Sequence, residues 1–397
     1  MKIPQIKDID VKGKRVLVRV DFNVSLSHGN VITNDKRIRE SLPTIQYLVA
    51  HGATAVLLSH LGRPMGKADP SLSLAHVSGR LSDLLGLPVV FMKEYLSQSA
   101  AERIKALSPG SVVLCENVRF QKGEEQNDPA FAKKLALLGE LFVNDAFGTA
   151  HRTHASTVGV TAYLPSYAGF LFAREIQMIA GAVEKPKRPL LVVIGGGKTP
   201  EKIRVIEKLL DSADTIYLGG AIANTFFSTW GIGVGTSKVD YEMVEMARNV
   251  LWKATRVHAR LLLPCDVMVS NADRSTAPAI LPYNKVPLGL GIYDIGVDAQ
   301  KELNDLIKHA ATVIWNGPMG LYEDERFAQG TLQTCMAIAE SKALSIVGGG
   351  DTISTITDER VLNNIDLIST GGSAMLEFIE KGTLPTIEAL KNGYQAS

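Results

Sequence analysis

Four short apolar runs in the first half of this sequence each give way to a cluster of polar residues. They end in Asp21-Phe22-Asn23, in Ser59-His60-Leu61-Gly62-Arg63, in Glu116-Asn117-Val118-Arg119 and in NDAFGTAHR at 144–152. In open parallel sheets, ligands bind beyond the carboxyl ends of the strands, so these clusters share one rim. His60, Arg63, Arg119 and Arg152 meet there, and Arg37, near the start of the first helical segment, can join them. Guanidinium groups offer planar donor forks that match phosphate and carboxylate. A small anionic substrate is the natural occupant. Any one of these arginines alone reads more simply as a solvated side chain or as half of an ion pair, with Asp145 and Glu116 as available partners. Four strand ends delivering polar groups to one rim favour a site.

The second half places glycine where the first half places charge. Its loops read GGGK at 195–198, Gly219-Gly220, NGPMG at 316–320, GGGDT at 348–352 and TGGS at 370–373. Glycine admits close backbone approach and positive φ. A helix that starts just after such a loop aims free N–H groups and a positive dipole end at an anion. Tight strand-to-helix turns account for one such loop and poorly for five, so the rim reads as a nucleotide polyphosphate cradle. The lysine loop is not a Walker A sequence, because Val192 stands where that pattern needs glycine. The glycines of 231–235 match a dinucleotide fingerprint weakly and do not plainly follow a strand. Asp351 is either a ligand for Mg²⁺, which takes one or two carboxylates plus substrate phosphates, or a helix N-cap. Its position does not choose between them.

These residues need a scaffold of alternating strands and helices. Strands are expected at 15–20, 55–59, 89–91, 111–114 and 141–143, then at 190–194, 215–218, 261–263, 312–315, 344–347 and 367–369. Helices are expected at 38–50, 201–210 and 299–310. Such alternation implies parallel sheets covered by helices on both faces. The segment FLFAREIQMIAGAVEKPKRP reads as an amphipathic helix stopped by Pro186 and Pro189. The fold class expected is α/β: two doubly wound, parallel-sheet, Rossmann-like domains joined by a hinge helix near 171–183.

A chain of 397 residues accommodates two such domains. The formal charge of +1 gives no global pull toward nucleic acid or an acidic membrane. Cys115, Cys265 and Cys335 follow no metal-ligand spacing and read as small buried thiols. The N-terminus has no apolar core of a secretory signal, and no run reaches the roughly 18 apolar residues of a membrane span. A soluble cytoplasmic protein is expected.

The motifs RVDFNV at 19–24, SHLGRP at 59–64, ENVRF at 116–120, DAFGTAHR at 145–152, WNGPMG at 315–320, GGGDT at 348–352 and STGG at 369–372 together resemble the phosphoglycerate kinase family. They stand in the family's order and span nearly the whole chain. The resemblance implies a glycolytic and gluconeogenic enzyme, monomeric, that exchanges a phosphoryl group between 1,3-bisphosphoglycerate and ADP as its Mg²⁺ complex, giving 3-phosphoglycerate and ATP. Asp21 and Asn23 would hold the hydroxyl and carboxyl end of the glycerate. Arg37, His60, Arg63, Arg119 and Arg152 would form the basic patch. Lys198 and Lys202 would meet nucleotide or transferring phosphate, Glu323 the ribose, and Gly349, Gly350, Asp351 and Thr352 the phosphates and Mg²⁺. The family's C-terminal tail returns to the first domain. The domains implied are therefore 1–170 with 383–397 for phosphoglycerate, 171–188 as hinge helix and linker, and 189–382 for nucleotide.

The chain departs from the family pattern at Ser25, at Thr199-Pro200, over 292–297 and at Ser373. The middle two changes bear on the nucleoside pocket. A carboxylate leaving group needs no proton, so positioning and charge stabilisation carry the chemistry without a general base. His60 then serves as a hydrogen-bonding ligand. Arg37, Lys198 and the Gly371 and Gly372 amides are the candidates to meet the transferring group, once the domains close and exclude water. A different small-molecule kinase should carry a Walker A or kinase catalytic-loop pattern, and neither is present. An exported two-lobe solute-binding protein would need a signal peptide, and a family member without activity would have lost candidate residues that stand intact here.

Overall fold

The computed structural model describes residues 3–27, 30–197, 199–353 and 358–393. The expectation for Lys198 lies outside them, as does that for the side chain of Asp351. The chain divides into two compact units, Met1–Gln177 with Thr383–Ser397, and Met178–Gly382.

The first unit is built on β1 (Arg15–Arg19), β2 (Thr54–Leu58), β3 (Val89–Met92), β4 (Val112–Cys115), β5 (Leu141–Asn144) and β6 (Ser166–Ala168). They form one sheet in the order β3-β4-β2-β1-β5-β6, with every pairing parallel. Val16, Leu17 and Val18 are all fully buried, as a sheet covered on both faces requires. Arg19 pairs with Leu58 on one side and Asn144 on the other. That register sets the carboxyl ends of β1, β2 and β5 level, so Asp21, His60 and Asp145 leave the sheet along one edge. Helix Lys36–Ala50 packs on the sheet by the stripe Ile38, Ser41, Thr44, Ile45 and Leu48.

Helix Phe170–Glu184 carries the division between the units along its length. Its first turn is held by Asp145, whose Oδ1 accepts the Phe172 N–H at 3.2 Å. Gly169 precedes the helix because a Cβ there would lie 2.2 Å from that oxygen. The last described helix, Pro385–Asn392, belongs to the first unit, and the Thr386 N–H donates to Ala150 O at 3.2 Å.

The second unit contains β7 (Leu190–Ile194), β8 (Thr215–Leu218), β9 (Arg260–Leu262), β10 (Asp266–Asn271), β11 (Ala279–Pro282), β12 (Leu290–Ile295), β13 (Thr312–Asn316), β14 (Leu344–Gly348) and β15 (Leu367–Ser369). Six of them form a parallel sheet in the order β15-β14-β13-β7-β8-β9. The chain leaves β7 toward one edge and returns at β13 toward the other, so the switch point lies between these strands. Both sheets and the α/β class agree with the sequence reading. A three-stranded antiparallel sheet, β11-β10-β12, adds to it. Cys115 and Cys335 are buried thiols, but Cys265 is exposed, because it stands on the connection before β10 and not in a strand. No helix among the described residues is long and apolar enough to cross a membrane.

Candidate active site

In the first unit the loops beyond β1, β2 and β4 are stitched to one another by short polar side chains. Ser59 Oγ accepts the Phe22 N–H at 2.8 Å, and Asn23 Oδ1 accepts the Gly62 N–H at 2.9 Å. Asn117 Nδ2 donates to Leu61 O at 2.7 Å and Leu72 O at 2.9 Å, while its Oδ1 accepts the Arg119 N–H at 3.1 Å. On this frame Asp21, almost fully buried, forms an ion pair with Arg37. Its other oxygen takes the Asn23 N–H at 3.1 Å and lies 3.9 Å from His60 Nδ1. Arg119 donates to Gly62 O at 2.7 Å and places its Nε 3.2 Å from Glu125 Oε1.

The rim is strongly electropositive. Burial, with Arg152 and Arg19 nearby, lowers Arg119 to about 10. Burial and four surrounding arginines, Arg19, Arg119, Arg37 and Arg152, hold His60 well below the usual imidazole range, so it is neutral at pH 7. Asp21, Asn23, Arg37, His60 and Arg119 are thus linked through one set of loops, with Arg152 within their electrostatic reach. Arg63 is exposed, and neither it nor Arg152 makes a side-chain hydrogen bond or ion pair among the described residues. Two carboxylates at this rim are not partners of arginine. Glu116 accepts from Ser73 Oγ at 2.7 Å, Leu74 N at 2.9 Å and Asn117 N at 2.8 Å, so it braces loops. Asp145 caps the helix that starts at Phe170. Both serve backbone amides that have no other acceptor.

Sequence reasoning passes over Arg19, which is fully buried beneath the rim. Its Nε donates to Ser156 Oγ at 2.8 Å, and Ser156 Oγ donates to Glu124 Oε1 at 2.6 Å. The available signal was a charge inside the otherwise apolar run RVLVRV, where only a paired cation can stand.

In the second unit a cavity of about 640 Å³ opens at the switch point, lined by Gly196, Gly220, Gly317, Gly349, Gly350 and Gly372 among others. The loops forming its floor touch through their backbones: Gly195 N–H donates to Asn316 O at 2.9 Å and Gly196 N–H to Pro318 O at 2.7 Å. Gly220 has φ +58°, and a Cβ there would sit 2.6 Å from Gly196 N. No other residue fits that approach. Lys202 also lines the cavity, buried, with its ammonium donating to Gly195 O. Thr352 uses its hydroxyl within the floor, accepting from Gly317 N at 2.9 Å and donating to Gly348 O at 2.7 Å. Glu323 stands exposed at the cavity's edge beside Leu321 and Tyr322. Helix Gly350–Ile353 puts Asp351 inside its first turn, so Asp351 is not the N-cap. The Gly371 N–H is engaged by Ser369 Oγ at 3.2 Å, whereas Gly372 opens helix Gly372–Lys381 on the cavity wall.

Asp294 is a cavity residue that sequence reasoning left without a role. It is buried, and its two oxygens accept the Gly330 N–H at 2.8 Å and the Ile295 N–H at 2.9 Å. Burial raises its carboxyl to about 7 in spite of those bonds. Its signal was a lone acid in the apolar strand GIYDIG.

One unit thus offers a compact anion site edged with guanidinium groups, and the other a glycine-floored cavity at the switch point of a parallel sheet. Together they mark a protein of two parallel-sheet α/β units, each with a rim suited to anionic groups. A sequence model of the phosphoglycerate kinase family matches residues 6–382. The phosphoglycerate kinase of Chloroflexus aurantiacus is 47% identical over 98% of each chain, and that of Akkermansia muciniphila 46% identical over 97% of each. The solved phosphoglycerate kinase structures from Coxiella burnetii, 40% identical, and Pyrococcus horikoshii, 31% identical, both superpose with a TM-score of 0.85 over 98% of each chain. The chain belongs to the phosphoglycerate kinase family and is a kinase.

Proposed function

We propose that this chain catalyses reversible phosphoryl transfer from 1,3-bisphosphoglycerate to MgADP, giving 3-phosphoglycerate and ATP. The observation that carries the reading is the pair of dissimilar anion sites, each at the carboxyl edge of its own parallel sheet. The rim of Asp21, Asn23, Arg37, His60, Arg63, Arg119 and Arg152 takes the glycerate. Arg37 and Arg119 neutralise its anionic groups, while Asp21 and Asn23 fix the loop that receives its hydroxyl and carboxyl end. The cavity takes the nucleotide. Gly349, Gly350 and Gly372 bring backbone close to the phosphates, Lys198 and Lys202 add positive charge, and Glu323 meets the ribose from the edge. Thr352 ties this floor to the Gly317 loop, and Gly371 is held within its own loop by Ser369 Oγ.

Mg²⁺ would be held by Asp351 together with the nucleotide phosphates, next to Gly349 and Gly350 on the cavity wall, which let phosphate oxygens approach. When bound, the ion neutralises charge on the nucleotide phosphates. The protein's own part is positioning and charge stabilisation. The carboxylate of 3-phosphoglycerate leaves unprotonated, so no side chain has to move a proton. Arg37, Lys198 and the Gly372 amide are our candidates to meet the equatorial oxygens of the transferring group. Transfer between units demands a hinge, which we assign to helix Phe170–Glu184. The enzyme acts as a monomer in the cytoplasm.

A coupled assay for ATP formation from 1,3-bisphosphoglycerate and ADP, with and without Mg²⁺, tests the reading. Turnover that needs the acyl phosphate, ADP and the metal supports it. Calorimetry should also detect 3-phosphoglycerate and MgADP binding separately. Absence of turnover with both ligands bound would overturn it.

A further inference from the structure

Arg19 does more than fill a buried position, because its donors dictate which nitrogen of His60 carries the proton. Its Nε points to Ser156 Oγ at 2.8 Å, one terminal nitrogen to Val20 O, and the other to His60 Nδ1 at 3.2 Å. A guanidinium group has five N–H donors and no acceptor, and it stays charged in proteins. The His60 Nδ1 facing it must therefore be the lone-pair nitrogen. A neutral imidazole carries one proton, which is left to Nε2.

The one competitor is Asp21, whose Oδ1 would prefer a proton on Nδ1. It lies 3.9 Å away, beyond hydrogen-bond distance, and already accepts the Asn23 N–H, while its other oxygen pairs with Arg37. The remaining charged neighbours of the ring, Arg119, Arg37 and Arg152, all oppose a second proton. Arg19 is itself fixed from behind. Ser156 Oγ accepts from Arg19 and so must donate onward to Glu124 Oε1 at 2.6 Å, with the Ser156 N–H at 3.0 Å on Glu124 Oε2. Each donor and acceptor along this chain has one consistent assignment. His60 Nε2 makes no hydrogen bond among the described residues, and the ring keeps about 6% of its exposure.

We infer that Arg19 is a positioning residue that locks His60 as the neutral Nε2–H tautomer, so that the ring presents a fixed hydrogen-bond donor to the anionic substrate of the rim. The role of that donor rests on the glycerate assignment above; the lock itself is a property of the free protein. A neutral donor suits a rim already rich in arginine, since it adds direction without a further charge to desolvate. It also keeps imidazole titration out of substrate affinity around neutral pH.

Long-range ¹H–¹⁵N correlation spectra of the uniformly ¹⁵N-labelled full-length protein test this, with His60 assigned through His60→Gln. The expected result is a pyrrole-type Nε2 and a pyridine-type Nδ1, unchanged from about pH 8 down to about pH 5.5, where a free histidine titrates. Addition of 3-phosphoglycerate should then shift Nε2 more than Nδ1. A protonated Nδ1, or an imidazolium at neutral pH, would overturn the lock. The expected tautomer with an Nε2 that ignores saturating 3-phosphoglycerate would overturn the donor role. Loss of the phosphoglycerate reading itself would appear separately, as no turnover in the coupled assay. Arg19→Gln leaves Glu124 without its cation and tests folding as much as positioning, so the native spectrum is the deciding measurement. In kinetics, His60→Ala should raise KM for the glycerate about ten- to a hundred-fold, the effect of losing a hydrogen bond to a charged group. His60→Gln, whose amide reaches the Nε2 position, should recover most of that loss.

Discussion

Replacing Asp145 by Asn should abolish a pH dependence of stability that the wild-type first unit carries. Asp145 is fully buried and takes one well-placed N–H, from Phe172, while Oδ2 meets no donor in hydrogen-bonding geometry. Burial drives the carboxyl from 3.8 up to about 6, and the Thr44 hydroxyl with the Phe172 and Leu171 amides offsets only part of it. The native state then holds this proton more tightly than the unfolded chain. Between pH 4 and 6 folding takes up protons, so stability falls as pH rises through that window and levels off above it. A rise of about two pKa units corresponds to about 3 kcal/mol. Asn keeps the acceptor for Phe172 and does not titrate. Its NH₂ group brings a penalty of about 1–3 kcal/mol if left without an acceptor, but that penalty is the same at every pH. The difference in stability between wild type and Asp145→Asn should therefore shift by about 2 kcal/mol from pH 4 to pH 7, in favour of the variant at the higher pH. Urea titrations resolve it because Trp230, Trp252 and Trp315 all lie in Met178–Gly382. Tryptophan fluorescence follows that unit, and a change in circular dichroism without a change in fluorescence follows the other. A constant difference across the range would refute the argument, and so would one that moves the opposite way.

Arg37→Ala should lower kcat by about two to three orders of magnitude, as loss of one preorganised charge-stabilising donor can, with a smaller effect on substrate affinity; steady-state kinetics with unchanged kcat would remove Arg37 from the transferring group. Arg119→Ala should chiefly raise KM for the glycerate, about ten- to a hundred-fold, and a variant with wild-type KM would exclude Arg119 from the substrate. Gly220→Ala should weaken MgADP binding in calorimetry and destabilise the second unit by about 2 kcal/mol or more, since its Cβ meets Gly196 N at 2.6 Å and Pro318 O at 2.8 Å in a left-handed backbone. Wild-type affinity and melting temperature would show that the cavity floor is looser than its contacts require.

Much of this architecture is legible in the chain because buried parallel strands announce themselves as continuous β-branched runs. Eleven strands at the expected places follow from that signal alone. Strand β6 does not, since Ser166-Tyr167-Ala168 holds no aliphatic side chain larger than alanine. The antiparallel sheet also hides: β11 is largely exposed and ends in Pro282, so its burial pattern is weak. Site residues are legible by type and by strand end, because the register brings those ends level. What single residues do there is less so. Asp145 and Glu116 looked like partners for arginine and instead satisfy backbone amides, a choice set by side-chain direction and not by sequence spacing. Arg19 and Asp294 lie within strands, where periodicity counts them as core, and only their burial with partners reveals them. The Asp21–Arg37 pair joins a strand end to a helix start, a contact that local pattern does not encode.

The bond from Thr386 to Ala150 gives this protein a history as well as a shape. A ribosome finishes every strand of the arginine-edged unit early, yet helix Pro385–Asn392, which seats against the loop leading to Arg152, emerges only after the whole of residues 178–382 has been made. The nascent chain can therefore own a finished glycine-floored cavity while its basic rim still waits for a brace, and a stalled or clipped product would be deficient first at that rim.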